Sequence, residues 1–509
     1  MVVSATVGTG ATVWPQLVHP VNFLFATRDT GYKSTGLAIA ELVDNSLQAA
    51  ARSVWIDVIA DPGSKRPGEI RVIDDGAGMD ERLLAQALTF GGTSRFGDRS
   101  SLGRYGMGLP NGALSRCRRV EVITWRGPDA LRAWLDIDEV AATGDGALPP
   151  IEATVRPAFT PDTGSGTIVR LTRCDRIEYK RASTLVKRLR DDLGRIYRHF
   201  LADGVGLHVN EEPVVAVDPL CLQAGSRHTG GARFGDDLTY QLAGQGGTGT
   251  VRVRFSTLPI ESWHALPPEQ KRAMGITAGP PVSVVRAGRE IDRGWLLMGD
   301  KRRENYDDWW RCEIAFDPAL DELFGLTHAK QTITPRPELV DVLAPDLEVI
   351  ARALNAQARH RFQMLKAVQP LSAAERQAAR VDGSLPPLPR RRHPVPDDLQ
   401  AIVDDLPHPD VPYRIVPIER LPTPTAYEVV VRGGQTVLLL NTGHPWYRDL
   451  YGPLALSESD TDRELARRIA LTLLAAACVE AVLPGGSERE HAERFRRTWG
   501  NVLATFFNA

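Results

Sequence analysis

Apolar residues recur at helical spacing over residues 35–52, with Ile39, Val43, Leu47 and Ala50 in phase, so the pattern predicts a helix capped by Ser34 or Thr35. The period then drops to two at 54–59 and 69–73, predicting two strands divided by the turn-rich run from Asp61 to Gly68. Further strands are expected at 119–124, 131–137 and 166–171, and a long basic helix at 182–201. A second mixed segment has strands at 251–256 and 281–286 and a helix over 337–367. Residues 368–411 are rich in Pro, Arg and Asp, which suits a linker. The remainder combines a hairpin pattern from Tyr427 to Asn441 with two helices. The expected division is 1–215, 216–367, a linker over 368–411, and a small α/β domain at 412–509.

Composition narrows the class without choosing a function. At 509 residues, with 43% hydrophobic and 24% charged positions, the chain can build several buried cores. A formal charge of −2 gives no whole-chain signature for nucleic acid, so any such surface must be a local patch. Basic positions cluster at Arg116, Arg118 and Arg119, along 180–198, and at 301–303; interspersed acids let the same positions read as salt-bridged faces. Five scattered cysteines without Cys-x-x-Cys pairs point to a reducing cytosol and away from structural zinc. The N-terminus lacks the basic region of a signal peptide, and the apolar run at 469–479 is too short to span a bilayer, so a soluble cytoplasmic protein is expected.

Three blocks carry the chemistry. Glu41 and Asn45 lie four apart, on one face of the first helix. Asp74-Asp75-Gly76-Ala77-Gly78-Met79 ends an apolar strand, where glycines let backbone approach a flat ring while a carboxylate accepts its amine. From Gly91 to Gly112 the chain is dense in glycine, which frees consecutive N–H groups to cradle an anion ahead of a helix start near Pro110. Each block has a plain counterpart: a surface helix face, a β-turn, a surface loop.

In this order and at these distances, the blocks resemble the Bergerat nucleotide fold of the GHKL ATPases. That family contains DNA gyrase B subunits, ninety-kilodalton heat-shock chaperones, histidine kinases and MutL proteins. The resemblance implies an α/β (α+β) architecture: an ATP-binding sandwich with an N-terminal arm, a transducer-type α/β domain, and the small C-terminal domain. It implies an ATP hydrolase using ATP and Mg²⁺, with Glu41 as general base and Asn45 as the magnesium ligand. Asp74 would read the adenine amine, Gly76, Gly78 and Met79 would shape the pocket, and Thr167 would hold adenine through water. Thr93, Ser94, Gly103, Arg104, Tyr105, Gly106, Met107 and Gly108 would form the lid over the triphosphate.

The lid sequence looks most like that of MORC ATPases, and Thr327-His328-Ala329-Lys330-Gln331 resembles the loop by which their transducer domains send a lysine to the γ-phosphate. Lys330 would then neutralise charge developing at the transferred group. Gln48 stands where many relatives have Asp, Ala329 stands in place of Asn, and no CW-type zinc module is present. The resemblance therefore points to a prokaryotic MORC-like or MutL-like ATPase, a type associated with restriction and anti-phage systems. The implied behaviour is an ATP-dependent homodimer closing as a clamp on duplex DNA, with an operon-encoded protein partner and no membrane. The apolar segment from Trp14 to Tyr32 would be the arm that crosses to the second protomer. The rival is a chaperone-like or signalling ATPase that remodels a protein without binding DNA. His444, beside Trp446 and Tyr447, reads as structural.

Overall fold

The computed structural model describes residues 18–92, 106–144, 146–277, 279, 281–326, 331–387, 395–404, 406, 411–484 and 486–508. The chain forms two compact units, Met1–Asn355 and Ala356–Ala509.

The first unit begins with helices α1 (Pro20–Asp29) and α2 (Thr35–Gln48), strands β1 (Ser53–Ala60) and β2 (Pro67–Asp74), and helices α3 (Glu81–Leu88) and α4 (Gly108–Leu114). Next come β3 (Arg119–Arg126), β4 (Asp129–Asp136), α5 (Ile137–Thr143), β5 (Glu152–Thr154) and β6 (Ser165–Thr172). Helices α6 (Ala182–Ile196) and α7 (Arg198–Ala202) lead to β7 (Gly206–Val209) and β8 (Glu212–Pro213). These strands make one mixed sheet in the order β5-β4-β3-β6-β2-β1-β7-β8, in which β1 and β7 run parallel. Alternation decides its faces. Val54, Ile56, Ile70, Val72, Val120 and Val122 join the helices in one apolar core. On the opposite face Glu69, Arg71, Glu121, Arg132 and Arg170 pair across strands. The same opposite face also buries a small apolar cluster of Ile73, Ile123, Trp125, Ala130 and Ile168, and the helices on the other side complete a two-layer α/β sandwich.

Two departures from the sequence pattern matter. The expected helix 182–201 breaks at Tyr197, whose hydroxyl bonds Ala40 O and Asp44. The segment expected as an exposed arm is, over Pro20–Asp29, a helix packed on its own unit. His19 caps it, Leu24 is buried, and Arg28 donates to Leu114 O at 2.8 Å and pairs with Asp175. Residues 1–17 lie outside the described residues.

A second sheet in the same unit holds β9 (Ala232–Gly244), β10 (Gly247–Thr257), β11 (Val282–Arg286), β12 (Arg289–Gly294) and β13 (Trp310–Phe316) in the order β12-β11-β13-β10-β9. Short helices α8 (Ile260–Trp263) and α9 (Pro268–Ala273) connect β10 to β11. Helix α10 (Pro337–Arg380) lays Leu339, Leu343, Leu347 and Ala351 on this core, a stripe at i and i+4. Residues 368–380, assigned to a linker by composition, are the last turns of this helix, which continues through Pro370 into the helix-favouring run Leu371–Arg380.

The second unit contains the end of α10, α11 (Asp397–Asp404), β14 (Tyr413–Ile418), β15 (Tyr427–Arg432), β16 (Gln435–Asn441), α12 (Gly452–Leu456), α13 (Asp460–Val482) and α14 (Ser487–Asn508). Gly433 and Gly434, with φ of +55° and +84°, form the two-residue turn between β15 and β16, which a side chain would strain. His444 receives Trp446 N on one ring nitrogen and meets Gly500 O at 3.0 Å with the other, which makes it a packing element. No described helix is long and apolar enough to cross a membrane.

Candidate nucleotide site

Helix α2 is buried almost all round, which is unusual for a helix carrying a Glu, an Asp, an Asn and a Ser in its last two turns. Ser34 caps it by accepting Leu37 N at 3.2 Å. Ile39, Leu42 and Val43 join the sheet core, while Glu41 emerges between α4 and the segment ahead of α2. The Tyr32 hydroxyl hydrogen-bonds the Glu41 carboxylate, and burial, followed by the Glu41 charge, raises its pKa. On the other side Gly108 opens α4: a Cβ there would lie 2.3 Å from Glu41 Oε1. Gly112, one turn on, packs at 3.3 Å from Ala38 O by the same measure. Small residues thus let α4 press its backbone onto the acid.

Asn45 follows one turn later and is half-buried. Its side-chain amide makes no hydrogen bond with the described residues. Ser46, beside it, donates to Asp74 Oδ2 at 2.8 Å and ties α2 to the end of β2. Asp74 is 4% exposed and also accepts Gly76 N at 2.9 Å. Burial raises its pKa against these hydrogen bonds. Gly78 has a φ of +64°, and a Cβ there would meet Trp125 O at 2.3 Å, so only glycine fits. Met79 is held by its N–H on Thr124 Oγ1 at 2.8 Å, and that hydroxyl lies 3.3 Å from Thr167 Oγ1. Thr167 pairs with Asp74 in register across β6 and β2.

The structure therefore brings Glu41, Asn45, Asp74, Gly76, Gly78, Met79, Gly108 and Thr167 around α2 and the end of β2. Gly106 accepts Gly91 N at 3.1 Å, and Met107 is the residue preceding α4. Thr93, Ser94, Gly103, Arg104, Tyr105 and Lys330 lie outside the described residues. Gln331 accepts Lys33 N at 2.7 Å, just ahead of α2. The donors suit magnesium: an amide oxygen without a described protein partner is available at Asn45, and among the described residues no group of three or more His, Cys, Asp or Glu gathers to hold a metal. Mg²⁺ takes most of its ligands from phosphates and water.

Three contributors escaped the sequence pattern. Tyr32 precedes the helix and shares no period with Glu41. Ser46 looks like filler between Asn45 and Leu47. Asp44 is fully buried and pairs with Arg289 of β12 at 2.9 Å, with the Tyr197 hydroxyl at 2.6 Å. Burial opposes the Arg289 charge, but Asp44, Tyr197 and Glu41 outweigh it and raise its pKa. Nearby, Arg198 bonds Glu290, Glu313 and Ser283 at 2.7 to 2.9 Å, with Arg195 and His199 completing a charged seam between α6/α7 and the second sheet.

The basic clusters divide. Arg116 is turned inward onto Tyr32 O and Arg176 O, Arg118 pairs with Asp138, and Arg119 with Asp136 and Glu139. Lys301 is buried on Asp307, and Arg303 pairs with Asp308. Of the two readings, the salt-bridged one holds for Arg118, Arg119, Lys301 and Arg303, while Arg302 is exposed.

A family model for histidine kinase-, DNA gyrase B-, and HSP90-like ATPases matches residues 32–163, the segment that holds α2, the end of β2 and α4. Over 87 residues the chain is 40% identical to an ATPase morc-1 of Caenorhabditis elegans, a match covering 17% of this chain and 10% of that protein. The chain thus carries a GHKL-type ATPase domain and is similar, across part of it, to a MORC ATPase.

Proposed function

We propose that this GHKL-type domain serves a Mg²⁺-dependent ATP hydrolase working as an ATP-gated dimeric clamp on duplex DNA. The observation that carries the catalytic half is the Glu41 carboxylate, buried, bonded by Tyr32, and facing a helix start that has no side chain. In hydrolysis a water oxygen forms a bond to the γ-phosphorus, the bond to the ADP oxygen breaks, and Glu41 takes the water proton. Asn45 would hold Mg²⁺, which when bound neutralises phosphate charge. Asp74 would accept the adenine amine, with Thr167 beside it and Met79, Gly76 and Gly78 shaping the pocket. Thr93, Ser94 and Gly103 to Gly108 would cover the triphosphate, and Lys330 would approach the γ-phosphate from the second sheet's side. In this reading 1–215 binds nucleotide, 216–367 transmits its state, and 412–509 serves the target. Dimerisation, an operon partner and a restriction or anti-phage setting rest on the family resemblance.

Glu41→Gln should retain ATP binding while phosphate release falls by ~10²–10⁴-fold, the range for a lost general base. Asp74→Ala should lose binding itself. Wild-type turnover in Glu41→Gln would sink the catalytic assignment.

One observation favours the rival reading, remodelling of a protein partner. Helix α14 exposes Phe495, Val502 and Phe506 at i, i+7 and i+11, an apolar face of the kind proteins use for partners. ATPase stimulation by long duplex DNA would favour the clamp; indifference to DNA would favour remodelling.

A further inference from the structure

Among the exposed cations without an ion pair among the described residues, one set gathers along a single helix. Helix α6 buries Leu185, Leu189 and Leu193 and turns Arg181, Lys187 and Arg188 outward. Lys65, on the β1–β2 loop, joins its N-terminus, because Ala182 N donates to Lys65 O at 2.8 Å. Arg188 continues into a cavity of about 450 Å³ whose rim also carries Lys33 and Arg293. All six side chains are exposed, and none has an ion pair or hydrogen bond among the described residues.

The acids on the same surface are already engaged. Asp191 pairs with Arg227, Asp192 with Arg195, and Glu290 with Arg195 and Arg198. Glu178 pairs with Arg116, while Asp292, bonded to Ile333 N at 2.9 Å, and Asp61 keep their charge. Six cations against these two acids leave the outward charge positive although the whole chain is at −2. None of the exposed large apolar side chains lies on α6 or the cavity rim, so the surface offers a protein partner no apolar anchor.

We propose that this face, from Lys65 along α6 to Arg293, is the surface that receives the phosphate backbone of duplex DNA. It rests on the reading of DNA as the target and gives that target an address on the chain. Arg181 and Arg188 are seven residues apart, about 10 Å along the helix, far enough apart to meet separate phosphates of one duplex. Contacts of this kind position a duplex without reading its sequence.

The test is a salt series of duplex-DNA affinity by fluorescence anisotropy on the full chain, comparing wild type, Arg181→Ser/Arg188→Ser and Arg302→Ser, with fluorescent-ATP binding run alongside. Two lost phosphate contacts should lower the slope of log affinity against log salt by about 2 in the double variant. Arg302→Ser, an exposed cation elsewhere, should leave the slope unchanged, and all three proteins should bind ATP alike. A wild-type slope in the double variant overturns this surface and leaves DNA as the target. No duplex binding by wild type at about 50 mM salt, with ATP binding intact, overturns the surface and the DNA target together. Binding of poly-glutamate in place of duplex, lost in the double variant, overturns the assignment in favour of an acidic protein partner.

Discussion

Arg289→Leu probes whether the second sheet holds the nucleotide helix by charge. The Arg289 and Asp44 side chains are 2% and 0% exposed and meet at 2.9 Å. The substitution removes the guanidinium and leaves a buried carboxylate to be served by the Tyr197 hydroxyl. Breaking a buried pair from one side costs about 3–5 kcal/mol, because the remaining charge keeps its desolvation penalty. Total stabilities of about 5–15 kcal/mol make that a large fraction. Asp44→Leu/Arg289→Leu removes both charges, and the Tyr197 hydroxyl keeps Ala40 O at 2.5 Å, so the double variant should recover at least about 2 kcal/mol relative to the sum of the singles. Urea unfolding followed by tryptophan fluorescence reads both layers, since Trp125 is buried in the first sheet and Trp310 in the second. Single and double losses that add within about 0.5 kcal/mol would refute the reasoning.

Gly108→Ala should fold and bind ATP yet hydrolyse slowly: its Cβ would fall 2.3 Å from Glu41 Oε1, and the flexible carboxylate end is what yields. Unchanged turnover would show that Glu41 has room to spare. Tyr32→Phe removes the hydroxyl on Glu41 and should lower kcat about tenfold at unchanged KM, equivalent to about 1.4 kcal/mol in the transition state; a change in KM alone would point to a packing role. Burial pushes the Glu313 carboxyl up, but His199 and Arg198 outweigh it and hold its pKa at about 2 against an ordinary 4.5. A folded pKa below the unfolded one contributes stability above pH 4.5 that is lost as pH falls towards 2, so Glu313→Gln should flatten the urea midpoint across that window; parallel profiles would exclude Glu313 as the cause.

What sequence shows and what it hides follows from the range of each interaction. Helix α2, strands β1, β2, β3 and β6, and the Gly433-Gly434 hairpin were legible because their patterns are local. Glu41 and Asn45 share a face by helix geometry, and the Gly76 and Gly78 spacing is set within one turn. The break at Tyr197 was hidden because Ala40 and Asp44, more than 150 residues away, receive its hydroxyl. Strand β9 was missed because consecutive acids, Asp236 and Asp237, blur the alternation. For the basic clusters the sequence left two readings open, because a count of arginines does not reveal which acids each one meets, as Arg118 meets Asp138 and Lys301 meets Asp307. Composition assigned 368–380 to a linker, whereas a helix-favouring stretch simply continued the helix before it.

The charged seam between α6/α7 and the second sheet raises a question of design. Arg198 and Glu290 are almost wholly buried, and an apolar interface of equal volume would be at least as stable. Such an interface can slide, because hydrophobic contact is not directional. Ions inside protein have few fully satisfied arrangements, so a charged seam permits discrete positions and penalises those between. The Asp44–Arg289 pair lies beside this seam and only one turn from Glu41. A shift of α2 on nucleotide binding would have to move Arg289, and with it β12, or break a buried pair at several kcal/mol. The seam is thus suited to passing the state of the nucleotide helix to the second sheet in steps, the behaviour required of a two-state element that both sites bias.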